Sequence, residues 1–434
     1  MYVGTRAPAA EPIQPGRPAA VPAPATFGSV FAVGEFRALW LAQVLSWLGD
    51  QLARVGLSVL VYSRTGSALL TALVYALSFL PAIIGGPLLA GLADRLPRRQ
   101  LMVRADLARG VLVALMVVPG IPFWALCVLL VGTVLLGAPF SAARAALLPD
   151  VLPDDRYVMA SAISIITDQF AQVLGFAIGG ALAATLGSST TLALDAVTFV
   201  LSAMLLRYGV RDRPAPATTA AATVSIRAPL RSAWAGARLV AGDRQLRELV
   251  VLAWLCGCYV VPEGLAAPYA ATLGGGAGLV GLLMAAQPAG SMLGAFVLAR
   301  LVAPPKRLRL IAPLAVLSCA PLVGCVTAPG IGVTLALWAI SGLGTAYQLA
   351  ANAAFVLAVP AASRGQAFGL VQAGILAAQG ITILLAGAAA QHVAPTTVVA
   401  VAGGLGTTIA LAVTANSWFG ARSAHPGLAP SGPR

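Results

Sequence analysis

Residues 90–99 read Ala90-Gly91-Leu92-Ala93-Asp94-Arg95-Leu96-Pro97-Arg98-Arg99. One apolar run ends at this stretch and another begins just after it, so three arginines and a carboxylate are gathered in a short turn between two apolar segments. Arginine beside an apolar span is what a cytoplasmic loop of a membrane protein carries. Topology does not account for the acid. Asp94 stands at a helix end among Arg95, Arg98 and Arg99, where it can accept charge-assisted hydrogen bonds or cap a neighbouring helix N-terminus.

The turn recurs. Shifting the chain by 208 residues lays Pro97-Arg98-Arg99 on Pro305-Lys306-Arg307, Gly49 on Gly257, Gly56 on Gly264, Gly86 on Gly294, Arg156 on Arg364 and Gly179 on Gly387. A gap-free offset of this length indicates a duplicated half, with both copies in the same orientation across the membrane. The surrounding composition agrees with a membrane setting. The chain of 434 residues is 59% hydrophobic and only 9% charged, against about 25% charged in soluble proteins. A spanning helix takes about 20 apolar residues. Turn signals divide the apolar runs into spans at 37–62, 67–93, 100–119, 122–148, 157–186 and 190–208, then 247–271, 277–301, 309–327, 331–359, 364–390 and 396–417.

The formal net charge of +13 would suggest nucleic acid in a soluble protein. Here the basic residues sit in alternate loops: Arg95/Arg98/Arg99, Arg144/Arg156, the run from Arg207 to Arg247, Lys306/Arg307/Arg309, and Arg364. The intervening loops hold only Arg64. This asymmetry predicts a multi-pass protein of the bacterial inner membrane with both termini cytoplasmic, the lipid bilayer as its partner and no nucleic acid. The expected layout is a disordered cytoplasmic tail at 1–35, a six-helix bundle at 36–210, a cytoplasmic central loop at 211–246, a second bundle at 247–418 and a tail at 419–434. Within the central loop, Leu230, Trp234, Ala237 and Ala241 share one helical face beside Arg227, Arg231 and Arg238, the pattern of a helix lying on the inner leaflet.

Several chemistries are excluded. Lys306 is the sole lysine and stands in Pro-Pro-Lys-Arg, so no phosphate-binding Walker loop exists. The five cysteines lie in apolar spans, Cys256-Gly257-Cys258 lacks zinc spacing, and His392 and His425 are the only histidines. The expectation is therefore no enzyme, no metal and no cofactor.

The loop at 90–99 resembles the signature of the major facilitator superfamily, Gly-x-Leu-Ala-Asp-Arg-x-Gly-Arg-Arg, with Ala90 and Pro97 in place of the two glycines. Gly49-Asp50, Pro139-Phe140-Ser141-Ala142-Ala143-Arg144 and Asp195-Ala196-Val197-Thr198-Phe199 are similar to the bacterial branch of enterobactin exporters and macrolide efflux proteins. Gly175-Phe176-Ala177-Ile178-Gly179-Gly180 resembles an antiporter motif, with Phe176 replacing its proline. The resemblance covers about residues 36–418. It implies an all-α fold of twelve transmembrane helices in two parallel six-helix repeats, working as a monomer. The substrate would sit near the midplane between the halves, and Asp94, Arg95, Arg98 and Arg99 would form a cytoplasmic latch.

Polar groups inside spans are expensive and are functional candidates. Gln43, Trp47, Asp50 and Arg54 form a stripe on the first helix, with Asp50 and Arg54 placed one turn apart to pair. Asp168 and Gln172 share a face of the fifth helix with Ser161 and Ser164. Tyr259 and Glu263 lie one turn apart on the seventh. Gln348 and Asn352 follow Ser341 and Thr345 on the tenth. Gln43, Trp47, Tyr259, Gln172, Gln348 and Asn352 are the expected cavity residues. Glu263, Asp50, Arg54 and Asp168 are the proton-coupling candidates, with Glu263 favoured because burial penalises the charged form of a lone carboxylate. Together these features predict a secondary active transporter that exports a small amphipathic compound, such as an antibiotic, drug or siderophore, in exchange for protons. The alternatives are uptake or facilitated diffusion of a small nutrient, and a membrane protein without transport.

Overall fold

A computed structural model describes residues 26–153, 155–214 and 227–423. The described residues form helices and connecting turns, without strands. In hydrocarbon every backbone donor and acceptor must be satisfied within its own segment, so apolar runs of this length become helices. Twelve segments result: α1 Gly34–Thr65, α2 Ala68–Gly86, α3 Arg98–Met116, α4 Phe123–Val151, α5 Asp155–Thr185, α6 Ser188–Gly209, α7 Arg244–Gly264, α8 Ala277–Leu301, α9 Leu308–Thr327, α10 Ile331–Ala358, α11 Arg364–Ala389 and α12 Pro395–Ala415.

Eleven of these are long and apolar enough to cross a membrane on composition alone. The exception is α3, which carries Arg104, Asp106 and Arg109. It packs against α4 and α6, and Asp106 and Arg109 are buried there among protein groups. Large apolar side chains such as Trp124, Val128, Phe296, Leu385 and Leu405 stand exposed on the outside, an arrangement suited to lipid as the solvent.

The helices form two bundles, α1–α6 and α7–α12, whose most extensive contacts are two helix crossings, with smaller contacts of α7 and α8 against α1 and α2. One crossing is α5 against α8, the other α11 against α2. These are counterparts under the 208-residue shift. At the first, the backbones of Gly180 and Gly281 touch with no room for a Cβ on either. At the second, Gly387 meets Ala72 and the backbone of Ala68. Both contacts lie toward the face opposite the basic loops. On the same face Gln391 bonds to the Ser67 hydroxyl at 2.9 Å. With its amide oxygen turned toward α2, Gln391 also accepts from the backbone N–H of Ala68 and Leu69, at 3.1 and 2.8 Å. First-turn donors have no partner within their own helix, so a second-half side chain caps a first-half helix.

Two spans of the second half are interrupted. The path of α7 breaks at Leu255, at Val260 just before Pro262, and again at Leu265. The path of α10 breaks at Thr345 and Ala346 after the Gly342-Leu343-Gly344 run. Pro262 lacks an N–H, and broken helices are tolerated at membrane depth where they line a cavity.

Three boundaries differ from those read in the sequence. Residues 27–31, placed in the N-terminal tail, form a short helix capped by Thr26, with Val30 buried against Phe36, Leu148, Leu152, Ala160 and Ile163. Five residues are too few to show helical periodicity. The final helix runs to Ser423, beyond the expected limit at 418. In the central loop a helix spans Arg227–Gly242 and packs against α11, with Trp234 exposed, and α7 begins at Arg244 behind an Asp243 cap. The remainder of both tails and residues 215–226 lie outside the described residues.

Candidate functional site

The breaks in α7 and α10 put polar side chains on the wall of a cavity of about 690 Å³ between the two bundles. Tyr259 and Gln348 face each other there and are hydrogen bonded. Gln172 of α5, Asn352 of α10, and Gln372 and Gln379 of α11 add amides. Phe79, Ile165, Val260, Phe355 and Phe368 supply apolar surface. The wall extends along α7 to Leu249, along α10 to Phe355 and along α11 to Phe368, near the ends that carry the basic loops. The cavity therefore opens toward the basic-loop face and closes toward the other.

Glu263 sits near the closed end and is 6% exposed. Its partner comes from the other half: the Tyr75 hydroxyl of α2 donates to its carboxylate at 2.5 Å. Arg54 borders the same cavity, within electrostatic reach of Glu263 and of Asp168, with its guanidinium 5.3 Å from the Phe79 ring centroid. Tyr75 was not singled out from the sequence, since a tyrosine in an apolar helix carries no signal of a contact with another bundle.

The expected Asp50–Arg54 pair is replaced by a different one. Asp50 bonds to Arg109 of α3 at 2.6 Å, while Arg54 bonds to Gln51 at 3.3 Å. Arg109 is 5% exposed, donates to Ser46 at 3.0 Å and lies 4.2 Å over the Phe199 ring. A guanidinium buried this deeply needs a counter-charge, and the part-exposed Asp50 supplies it instead of pairing with its helix neighbour. Asp50, Arg54, Arg109 and Trp47 border a second cavity of about 430 Å³ inside the first half. Arg54 thus stands on the walls of both cavities. Trp47 also lies 5.8 Å from the Arg144 guanidinium, which donates to Ser164 at 2.7 Å.

Two further candidates are placed differently. Gln43 is 2% exposed and lies away from the walls of both cavities, so it does not belong with the cavity residues. Asp195, named from the sequence only as part of a family-like motif, is fully buried yet borders the second cavity. Asp168 is half-buried on α5 beside Ile165, Gln169 and Gln172, which line the first.

The side chain of Asp94 lies outside the described residues. Arg98 bonds to Asp150 at 2.5 Å and to the Ala146 carbonyl at 2.8 Å. Arg99 bonds to Asp212 at 2.6 Å and to the Val210 carbonyl at 3.2 Å. In this conformation both arginines hold the loop to the ends of α4 and α6 within the first half, not across the halves. Nearby, Arg213 pairs with Glu35 at the start of α1, and this bond holds the guanidinium above its ordinary pKa.

Two parallel six-helix bundles around a central polar cavity define a membrane transporter fold. Residues 39–320 match the Major Facilitator Superfamily, and the chain belongs to that family. The chain is 30% identical over 175 residues to an uncharacterized MFS-type transporter, YfiS, of Bacillus subtilis (strain 168), covering 40% of this chain and 42% of that protein. It is 25% identical over 178 residues to macrolide efflux protein A of Streptococcus pyogenes, covering 39% and 43%. The match thus spans about two fifths of these relatives' length. Among solved structures, the nucleoside transporter NupG superposes with a TM-score of 0.72 at 12% identity, covering 88% of this chain and 99% of that one. A bacterial homologue of the human lysosomal transporter Spinster, in an inward-facing and occupied conformation, gives 0.65 at 14%, covering 89% and 96%. At these identities the likeness is one of fold.

Proposed function

We propose that the chain is a secondary active exporter of a small amphipathic compound, driven by protons moving inward. The observation that carries this reading is the central cavity, in which amides and aromatic or aliphatic walls surround one buried carboxylate at the closed end. A sugar-like substrate would call for a denser set of polar contacts, whereas mixed walls suit a ligand with apolar bulk and a few polar groups. Without a nucleotide site, uphill export must draw on an ion gradient. The relative named as a macrolide efflux protein supports the same direction. Expression in a bacterial host stripped of its own efflux pumps tests it. A panel of amphipathic dyes and macrolides should accumulate several-fold less in expressing cells, and a proton uncoupler should abolish the difference. Higher accumulation, or no change across the panel, rejects export.

Orientation is part of the same proposal. The basic loops are assigned to the cytoplasm, which makes the cavity cytoplasm-facing in this conformation. In a background freed of native cysteines, an impermeant thiol reagent applied to intact cells should label Ser189→Cys at the start of α6 and spare Ser232→Cys in the central loop. The opposite pattern reverses the topology.

A further inference from the structure

Arg109 faces three carboxylates. Asp50 of α1 is bonded at 2.6 Å, Asp106 lies one turn back on α3 at 3.8 Å, and Asp195 of α6 is within electrostatic reach. Asp106 and Asp195 are both 0% exposed. Asp106 accepts from the Ser202 hydroxyl at 2.5 Å, while the Thr198 hydroxyl donates to the Asp195 backbone carbonyl at 2.7 Å and lies 3.3 Å from its carboxylate Oδ1. Those contacts use one oxygen of each carboxyl. Oδ1 of Asp106 and Oδ2 of Asp195 have no hydrogen-bond partner, and of the two only Asp106 Oδ1 stands at ion-pair distance from Arg109, at 3.8 Å. The helix crossing that seals it in is very close: a Cβ on Gly49 would collide with the Asp195 carboxyl and the Thr198 hydroxyl, so only glycine on α1 admits this aspartate.

One guanidinium cannot neutralise three carboxylates, two of them fully buried. A buried charge with an unpaired oxygen is costly and is avoided by binding a proton or another cation. Asp195 is closed to water in this conformation but stands in the wall of the cavity inside the first half, onto which its neighbour Asp50 opens, 31% exposed. The remaining charged groups around the cluster are Arg54 on α1, Arg144 on α4 beside Trp47, and Asp168 on α5, within reach of Asp50. A metal ion is disfavoured because the Arg109 guanidinium occupies the middle of the cluster and repels it.

We propose that the first half contains a second proton site, in which the Asp195 carboxyl, held against Arg109, takes up and releases one exchangeable proton through the inner cavity. With the proton on Asp195, Arg109 stays with Asp50. When the proton leaves to cavity water, ionised Asp195 competes for Arg109, and Asp50 is freed toward Arg54, which also lines the central cavity. No other bond changes. The site stands on the geometry of the cluster; its role in coupling rests on reading the chain as proton-driven.

Infrared difference spectra of the purified full-length protein in lipid nanodiscs, recorded as pH is varied, test the site directly through the carbonyl stretch of protonated carboxyls. The expected result is a band that titrates in the wild type, persists in Glu263→Gln and is lost in Asp195→Asn. Thr198→Val, which removes a hydrogen bond but no titrating group, should shift that band without deleting it, and covers the case in which Asp195→Asn fails to fold. A titrating band unaffected by both substitutions overturns the proposal. So does its removal by added sodium at constant pH, which would make the occupant a metal ion. If the Asp195 band is present but wild-type transport ignores a pH gradient, the proton site stands and the proton-driven export reading falls.

Discussion

Glu263→Gln is expected to abolish pH-driven uphill efflux from proteoliposomes while leaving downhill exchange of the same substrate within about twofold of wild type, the scatter expected for a change that retains shape and hydrogen bonding. The amide can still accept from Tyr75, so the contact between α2 and α7 survives and only the titrating charge is lost. A proton crossing about 100 mV releases roughly 2.3 kcal/mol. At about 1.4 kcal/mol per tenfold, that sustains roughly a 50-fold gradient of a neutral substrate. Without a titrating group at the cavity's closed end, this gradient should collapse to equality. Unchanged uphill efflux in the variant would remove the role from Glu263 and transfer it to the first-half carboxylates.

The second large effect is on stability. Arg109→Met should lower the thermal stability of the purified protein by an amount corresponding to about 3–5 kcal/mol, the usual cost of removing one partner from a buried ion pair. The substitution leaves Asp50, Asp106 and Asp195 facing one another without their common counter-charge. Adding Asp106→Asn to that variant should recover part of the loss, since one of the stranded carboxylates is then neutral. Melting of Arg109→Met at the wild-type temperature would show that the cluster is already neutralised by other means, and that Arg109 is not its keystone.

The twelve-helix fold was legible because its signals are repetitive: apolar runs near membrane thickness, basic residues in alternate loops, and a turn at 90–99 with a partial copy at 305–307. The cavity residues on α5, α7 and α10 were legible for a related reason, since a polar stripe in an apolar helix has few places to go. Pairing was not. Asp50 and Arg54 satisfy the local spacing rule, and nothing in the sequence says that Arg109, 59 residues away, outcompetes Arg54. Asp106 and Arg109 were not singled out, because the span at 100–119 was drawn from its apolar residues and its charges were not asked for partners. Tyr75 was hidden because its partner is 188 residues distant and in the other half.

The two glycine-rich contacts between the bundles have a mechanical consequence. Where α5 crosses α8 at Gly180 and Gly281, backbone lies on backbone, and the matched crossing of α11 over α2 at Gly387 is nearly as bare. Interdigitated side chains act as teeth that must be withdrawn before helices can slide, and such packing moves in discrete jumps. At these glycines the surfaces have no teeth, although farther along the second crossing Leu80 of α2 packs onto Gly380 of α11. Two smooth contacts, each joining a helix of one half to a helix of the other, behave as a pair of bearings, and the line joining them is an axle. Each bundle can roll about it as a rigid body with little change at the glycines themselves, so the resistance to reversing the cavity resides at its closed end, in bonds such as Tyr75–Glu263 and Ser67–Gln391.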